Sequence, residues 1–88
     1  MSSSEHHVTI RTVLPAATGT FAVVVEAIAG AGGAVDGADL ITSGQDEVTR
    51  DFTVSVSDEE GTSAVIAALE ALDGVSVRSV RDRVILRH

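Results

Sequence analysis

The 88-residue sequence contains no cysteine and no lysine, and its three histidines stand near the ends of the chain. Without cysteine there is no disulfide, thiol nucleophile, iron–sulfur cluster or thiolate zinc site. Without lysine no Schiff base can form, and without a histidine in the body of the chain no internal Ser–His pair can be built. His6, His7 and His88 are expected to be solvated rather than metal ligands. We therefore predict a non-catalytic domain with no catalytic residue, metal site or cofactor.

Aromatic residues and positive charge are also scarce, with two phenylalanines and six arginines against thirteen carboxylates, for a net charge of −7. Nucleic-acid binding needs a basic surface and usually aromatic side chains for stacking, and an anionic membrane would repel this chain. The apolar runs are far shorter than the ~20 residues of a spanning helix. The first residues lack the pattern of a secretory signal. We expect no nucleic-acid or membrane partner and a cytoplasmic location.

The N-terminal half alternates between strand and helix patterns. The segment from Val8 to Leu14 has a period of two and many β-branched residues, which predicts a strand that ends at Pro15. Thr18 is a candidate N-cap for the next helix. Glycines between Gly30 and Gly33 are expected to end that helix, and a second strand is predicted over 34–43. The helix itself is indicated by apolar residues at i, i+3, i+4 and i+7: Phe21, Val24, Val25 and Ile28.

The C-terminal half repeats this order. A hairpin loop at 44–47 leads to the clearest strand, in which Val48, Arg50, Phe52, Val54 and Val56 alternate with polar residues. Residues 57–60 fit a capping box, with Ser57 as the N-cap and Glu60 reaching back. The helix that follows has core spacing, and the last strand runs through 75–80 with a possible extension over 84–86. The helix residues at core spacing are Val65, Ile66, Leu69 and Leu72.

The order β-α-β-β-α-β predicts an α+β, ferredoxin-like sandwich, a four-stranded antiparallel sheet with both helices on one face. We expect a disordered tail over 1–7 and a single domain over 8–88. With few large side chains, a core of this size would gain from burial against a second copy, so self-association is also expected.

Most local clusters have an ordinary structural explanation. The glycines at 30–33 follow a helix rather than open one, and Asp58 to Glu60 sit where a first helical turn favours negative charge. Arg78, Arg81 and Arg83 could bind an anion, but salt-bridged or solvated strand residues are favoured. The Thr18–Gly19 turn is different, because a glycine at a helix start lets backbone amides approach a carboxylate. A tight turn and a ligand-binding turn both fit it.

The chain resembles the ACT domains, and among them the N-terminal ACT domain of bacterial malic enzymes. The resemblance extends over nearly everything from Val8 to Leu86. It rests, in chain order, on Val8-Thr9-Ile10-Arg11, Leu14-Pro15 followed by Gly19, Ala27-Ile28 leading into Ala31-Gly32-Gly33, Asp39-Leu40, Arg50-Asp51-Phe52-Thr53-Val54, Leu72-Asp73-Gly74-Val75 and Asp82-Arg83.

The resemblance implies a regulatory small-molecule sensor that associates with copies of itself. In ACT domains, amino-acid effectors bind at the interface of two copies, near the first strand–helix loop. It also implies, as a partner, the catalytic domains of a malic enzyme, which oxidise and decarboxylate malate to pyruvate with a nicotinamide cofactor and a divalent metal. The ligand site carried over from the family comprises Ala17, Thr18, Gly19, Thr20 and Phe21, with Asp39, Leu40 and Ile41 of the second strand alongside.

Two departures from the family pattern leave an alternative open. Ala16 stands where many amino-acid-binding ACT loops have an acidic or amide side chain, and Thr18 stands where a proline often precedes the glycine. One hypothesis is therefore a ligand-binding regulatory module. The alternative is a purely structural module that oligomerises its parent enzyme with an empty loop site.

Overall fold

A computed structural model describes residues 6–83, and the side chains of residues 6–82. The elements are, in chain order, β1 (His6–Pro15), α1 (Thr20–Gly30), β2 (Ala34–Ser43), β3 (Glu47–Val56), α2 (Glu59–Glu70) and β4 (Ser76–Arg83). The strands form one four-stranded sheet in the order β2-β3-β1-β4, and every paired strand is antiparallel. This is the predicted ferredoxin-like α+β arrangement.

The core lies between the helices and one face of the sheet. The period-two pattern of β1 and β3 places their alternate apolar residues on this face, and the antiparallel register sets Val8 opposite Val54 and Ile10 opposite Phe52. Each helix contributes a short buried stripe to the same core. The buried residues are Val8, Ile10, Leu14, Phe52, Val54 and Val56 from the sheet, with Val24, Ile28, Val65 and Leu69 from the helices.

The end of α1 shows how closely the layers approach. The Gly33 amide donates to the Ile28 carbonyl at 2.9 Å, which closes the last turn, as predicted for this glycine cluster. A Cβ on Gly33 would lie 2.9 Å from methyl groups of Ile28 and Val54. Glycine is therefore required here by the contact between helix and sheet.

Three sequence-based expectations are wrong in detail. β1 begins at His6, two residues before Val8, because the register continues to pair His6 with Val56 and His7 with Ser55. The N-cap of α2 is Asp58, whose carboxylate accepts from the Gly61 amide at 2.9 Å, and not Ser57. The N-cap of α1 is Gly19, and not Thr18. The suggested extension of the last strand over 84–86 lies outside the described residues.

Candidate functional site

The loop between β1 and α1 is held at one end and open at the other. The Ala16 amide donates to the Asp46 carbonyl at 2.9 Å, which ties the loop to the β2–β3 hairpin. Gly19 has a φ of 93°, a left-handed conformation that favours glycine, while nothing lies within 4 Å of where its Cβ would be. Gly19 is thus needed for the backbone turn and not for space.

The first turn of α1 has no side-chain cap. Gly19 offers no side chain, and no acidic residue lies in this turn. The first amides of a helix have no intrahelical partner and carry partial positive charge. In the first turn of α2, by contrast, the Asp58 carboxylate accepts a hydrogen bond from the Gly61 amide, and two acidic residues, Glu59 and Glu60, follow the cap.

In α1 the Thr20 amide donates to the Ala17 carbonyl at 3.3 Å. The Val23 amide donates to the Gly19 carbonyl at 3.1 Å. The amides of Phe21 and Ala22 are therefore the ones open to an acceptor from outside the helix.

A small cavity of about 170 Å³ lies where this loop meets β3. It is smaller than the roughly 300–1,000 Å³ of sites for drug-sized ligands, so it suits a molecule of a few heavy atoms. The side chains that line it are apolar apart from one hydroxyl and one guanidinium. The lining residues are Leu14, Pro15, Ala16, Ala17, Thr20, Phe21, Val48 and Arg50.

Arg50 is the charged residue of this lining within the described part of the chain. It lies on the helix-facing side of β3, opposite Thr12, whose hydroxyl donates to the Arg50 carbonyl at 3.0 Å. The guanidinium carbon lies 4.9 Å from the centre of the Phe21 ring, a cation–π contact. Phe21 is 42% exposed and its ring centre is 5.7 Å from that of buried Phe52. Arg50 is thus placed by the sheet and held against α1 by Phe21.

The structure brings together some of the predicted site residues. Ala17, Thr20 and Phe21 line the cavity, whereas Thr18 and Gly19 form an exposed turn beside it. The positions of the second-strand residues follow from the register. Asp39 lies opposite Asp51 on the outer face of the sheet, Leu40 lies opposite Arg50 on the helix-facing side, and Ile41 sits at an irregularity of the β2–β3 pairing. Leu40 is thus directly opposite a cavity residue within one copy.

Arg50 is the functional candidate that the sequence-based site omitted. A signal for it existed, since the alternation of β3 already puts Arg50 on the same side as Val48 and Phe52. An arginine at an otherwise apolar position of a strand needs an explanation, because charged groups are rarely buried without a partner.

The outer face of the sheet holds a compact ion-pair network. Arg11 donates to the two carboxylate oxygens of Asp51 through Nε at 2.8 Å and a terminal nitrogen at 3.0 Å, and Arg81 approaches at 3.4 Å. The Arg11 hydrogen bond lowers the pKa of Asp51, while burial acts in the opposite direction. The expected salt-bridged role is confirmed for Arg81, and Arg78 is exposed.

A second polar cluster on this face is not arranged for catalysis. Ser55 Oγ lies 3.0 Å from His7 Nδ1 and also bonds to Asp36. Asp36 Oδ2 also lies 3.8 Å from His7 Nδ1, so the hydroxyl and the carboxylate approach the same ring nitrogen, whereas in a nucleophilic triad they contact opposite nitrogens of the imidazole. His7 was expected to be solvated, whereas it is half-buried in a strand. Within residues 6–83, no three carboxylate or histidine side chains could hold a metal ion.

Other hollows fit a ligand site less well. A larger one, about 530 Å³, lies at the β2–β3 hairpin, and its charged groups are the carboxylates of Asp46 and Glu47. One of about 550 Å³ beside the start of α2 is lined by Glu59 and Glu60. In a chain of net charge −7 such sites are typical of solvated surface. No helix of the described residues is long and apolar enough to cross a membrane.

The fold and this cavity define a ferredoxin-like α+β domain with a small hollow at its first strand–helix loop. Comparison with known proteins adds that the chain is 35% identical over 82 residues to the NAD-dependent malic enzyme of Geobacillus stearothermophilus. The alignment includes 93% of this chain but only 17% of that enzyme. No protein-family model matches. The chain is thus similar to a small part of a malic enzyme.

Proposed function

We propose that this chain is a regulatory ACT domain, which binds a small effector, an amino acid, at the β1–α1 loop and modulates the catalytic domains of a malic enzyme. The observation that carries the proposal is the cavity of about 170 Å³ formed by this loop and β3. It lies beside the first turn of α1, which has no side-chain cap and whose amides can donate hydrogen bonds to the carboxylate of an effector.

The exposed apolar residues support association of two copies. Phe21 and Val23 on α1 are 42% and 47% exposed, and Leu40 and Ile41 on β2 are 54% and 40% exposed. β2 is an edge strand, and its free edge presents unpaired backbone groups that another strand can bind. Pairing there would bring Asp39, Leu40 and Ile41 of a second copy towards the loop, which is the arrangement that the family resemblance implies.

A site between two copies explains how binding could regulate. An effector shifts an equilibrium only by its unequal affinity for two states, and contacts to both copies supply that inequality when the copies move. The similarity to part of a malic enzyme supports catalytic domains of that class as the partner. Oxidation and decarboxylation of malate would then belong to those domains, and this domain would contain no catalytic residue.

The proposal is tested by a thermal-shift screen of this chain against amino acids, with light scattering on the same samples. We expect one ligand to give a saturable rise in Tm; at 100 times Kd the stabilisation is about 2.7 kcal/mol, or roughly 10 °C or more in a domain of this size. Ala17→Trp fills the cavity and should abolish the rise. Ala67→Trp, at an exposed position of α2, is the matched control and should retain it.

The outcome also separates the two hypotheses. A dimer or larger assembly whose Tm no amino acid changes would support the structural alternative. Ala16 favours that alternative, because it gives the cavity no polar side chain where many amino-acid-binding ACT loops have one. An equal loss in Ala17→Trp and Ala67→Trp would contradict a site at the loop.

A further inference from the structure

Arg50 keeps a positive charge that the fold leaves unpaired. The chain has thirteen carboxylates for six arginines. Nevertheless, among residues 6–82 no carboxylate forms an ion pair or hydrogen bond with the Arg50 guanidinium. Arg50 is half-buried and lines a cavity, unlike exposed Arg78 on the edge strand β4. With so many carboxylates available, a half-buried arginine beside a cavity indicates that an anion from outside the chain completes the site.

We propose that Arg50 is the specificity-determining residue of the loop site and binds a carboxylate group of the effector. This inference rests on the proposed function, and it adds the chemical class of the ligand: a small carboxylic acid, whether an amino acid or a dicarboxylic acid. Molecules of the same size that have no carboxylate are expected to bind more weakly, because they leave the guanidinium unpaired.

The contact with Phe21 prepares Arg50 for this role. A guanidinium is planar and presents its N–H donors in a fork that fits both oxygens of a carboxylate. The guanidinium carbon lies 4.9 Å from the centre of the Phe21 ring, and no side chain among residues 6–82 accepts a hydrogen bond from the guanidinium. Because the Phe21 contact restricts the Arg50 side chain before a ligand arrives, less side-chain entropy is lost on binding.

The apolar side chains that line the rest of the cavity strengthen this interaction. Apart from the Thr20 hydroxyl, the other lining side chains are apolar, and they include Leu14, Pro15 and Val48. A charge pair that is partly removed from water is stronger than one in bulk solvent. The cavity, at about 170 Å³, limits the acid to a few heavy atoms.

The test compares acids with uncharged molecules of the same shape. Acetate and succinate, with acetamide and succinamide as counterparts, are titrated into the ¹⁵N-labelled chain at 0.15 M salt while NMR shifts of the loop amides are followed. We expect the acids to shift the backbone amide signals of residues 16–21 saturably. Acetamide and succinamide should bind at least 10-fold more weakly, since charge-assisted hydrogen bonds favour the anion.

Three variants locate the effect. Arg50→Gln should weaken acid binding about 10-fold or more, and Arg50→Lys should recover part of it, because lysine keeps the charge without the fork. Arg78→Gln removes the same charge from an exposed site and should change affinity by less than about 2-fold. Equal binding of acids and amides, unchanged affinity in Arg50→Gln, or an equal loss in Arg78→Gln would overturn the inference.

The two proposals fail in different ways. If an amino acid stabilises the chain and Ala17→Trp abolishes this while Arg50→Gln does not, the loop site stands and Arg50 is not its anion-binding residue. If neither the acids nor any amino acid affects the loop, the proposed function fails together with this inference.

Discussion

Arg11 and Arg50 lie on neighbouring strands of the same sheet, but they differ in what balances their charge. Arg11, on the outer face, is paired through two hydrogen bonds with Asp51. Arg50 precedes Asp51 in β3, points to the helix-facing side and, within the described residues, contacts the Phe21 ring instead of a carboxylate. The comparison indicates that the outer-face charges stabilise the fold, whereas the charge beside the cavity is available to a ligand.

The largest effect on stability is expected from Asp51→Asn. The side chain of Asp51 is only 9% exposed, and the substitution removes the charge that holds Arg11 and approaches Arg81. We expect a loss of about 1–2 kcal/mol in the free energy of unfolding, in the lower part of the range for hydrogen bonds to charged groups because both arginines are partly in water. Urea unfolding at pH 7 measures it.

The control for this substitution is Asp39→Asn. Asp39 lies opposite Asp51 on β2 and is exposed, so the same change of charge is made without breaking the network. We expect unchanged or slightly higher stability, because two like charges face each other across the strands. An equal loss in both variants would mean that the Asp51 network does not stabilise the fold specifically.

The pH dependence of the free energy of unfolding gives a second test of the Asp51 network. The pKa of Asp51 is lowered by its hydrogen bond with Arg11, against an ordinary value of about 3.9 in the unfolded chain. A lowered pKa in the folded state contributes stability that is present above about pH 4 and is lost as the pH falls through the folded pKa. The stability difference between the unmodified chain and Asp51→Asn should therefore be constant near neutrality and narrow below about pH 4.

Urea unfolding between pH 7 and pH 2.5 checks this expectation. The other carboxylates are common to both chains, so their titration largely cancels in the difference. A difference that stays constant to the lowest pH would contradict the assignment to the Asp51 charge.

The elements of the fold were predictable from the sequence because their signals are local. Alternation in β1 and β3 and the helical spacing around Val24 and Val65 place the core correctly. Element ends were harder to predict, because the start of β1 at His6 depends on pairing with β3, some fifty residues away in the chain. Likewise the N-cap of α2 depends on which side chain, that of Ser57 or that of Asp58, reaches an amide of the first turn, and Asp58 reaches that of Gly61.

The candidate site was predictable only in part. The loop residues Ala17, Thr20 and Phe21 came from the family resemblance, and they do line the cavity. The face of Arg50 follows from alternation, but the lack of a carboxylate beside it depends on register and packing. The pairing of Arg11 with Asp51, 40 positions apart in sequence, shows that such neighbours are set by tertiary structure.

The smallest effect is expected at Arg50, and it sharpens the comparison most directly. Arg11→Gln and Arg50→Gln make the same substitution on opposite faces of the sheet. Arg11→Gln should lower Tm because, among the described residues, it leaves the buried Asp51 carboxylate with just the 3.4 Å contact to Arg81 as an ion pair. Arg50→Gln removes no ion pair in the described chain, so we expect a loss of at most about 0.5–1 kcal/mol, the strength of an exposed cation–π contact. Thermal unfolding without ligand measures both. If Arg50→Gln were the more destabilising variant, Arg50 would be a structural residue, and the unpaired charge beside the cavity would need no ligand to explain it.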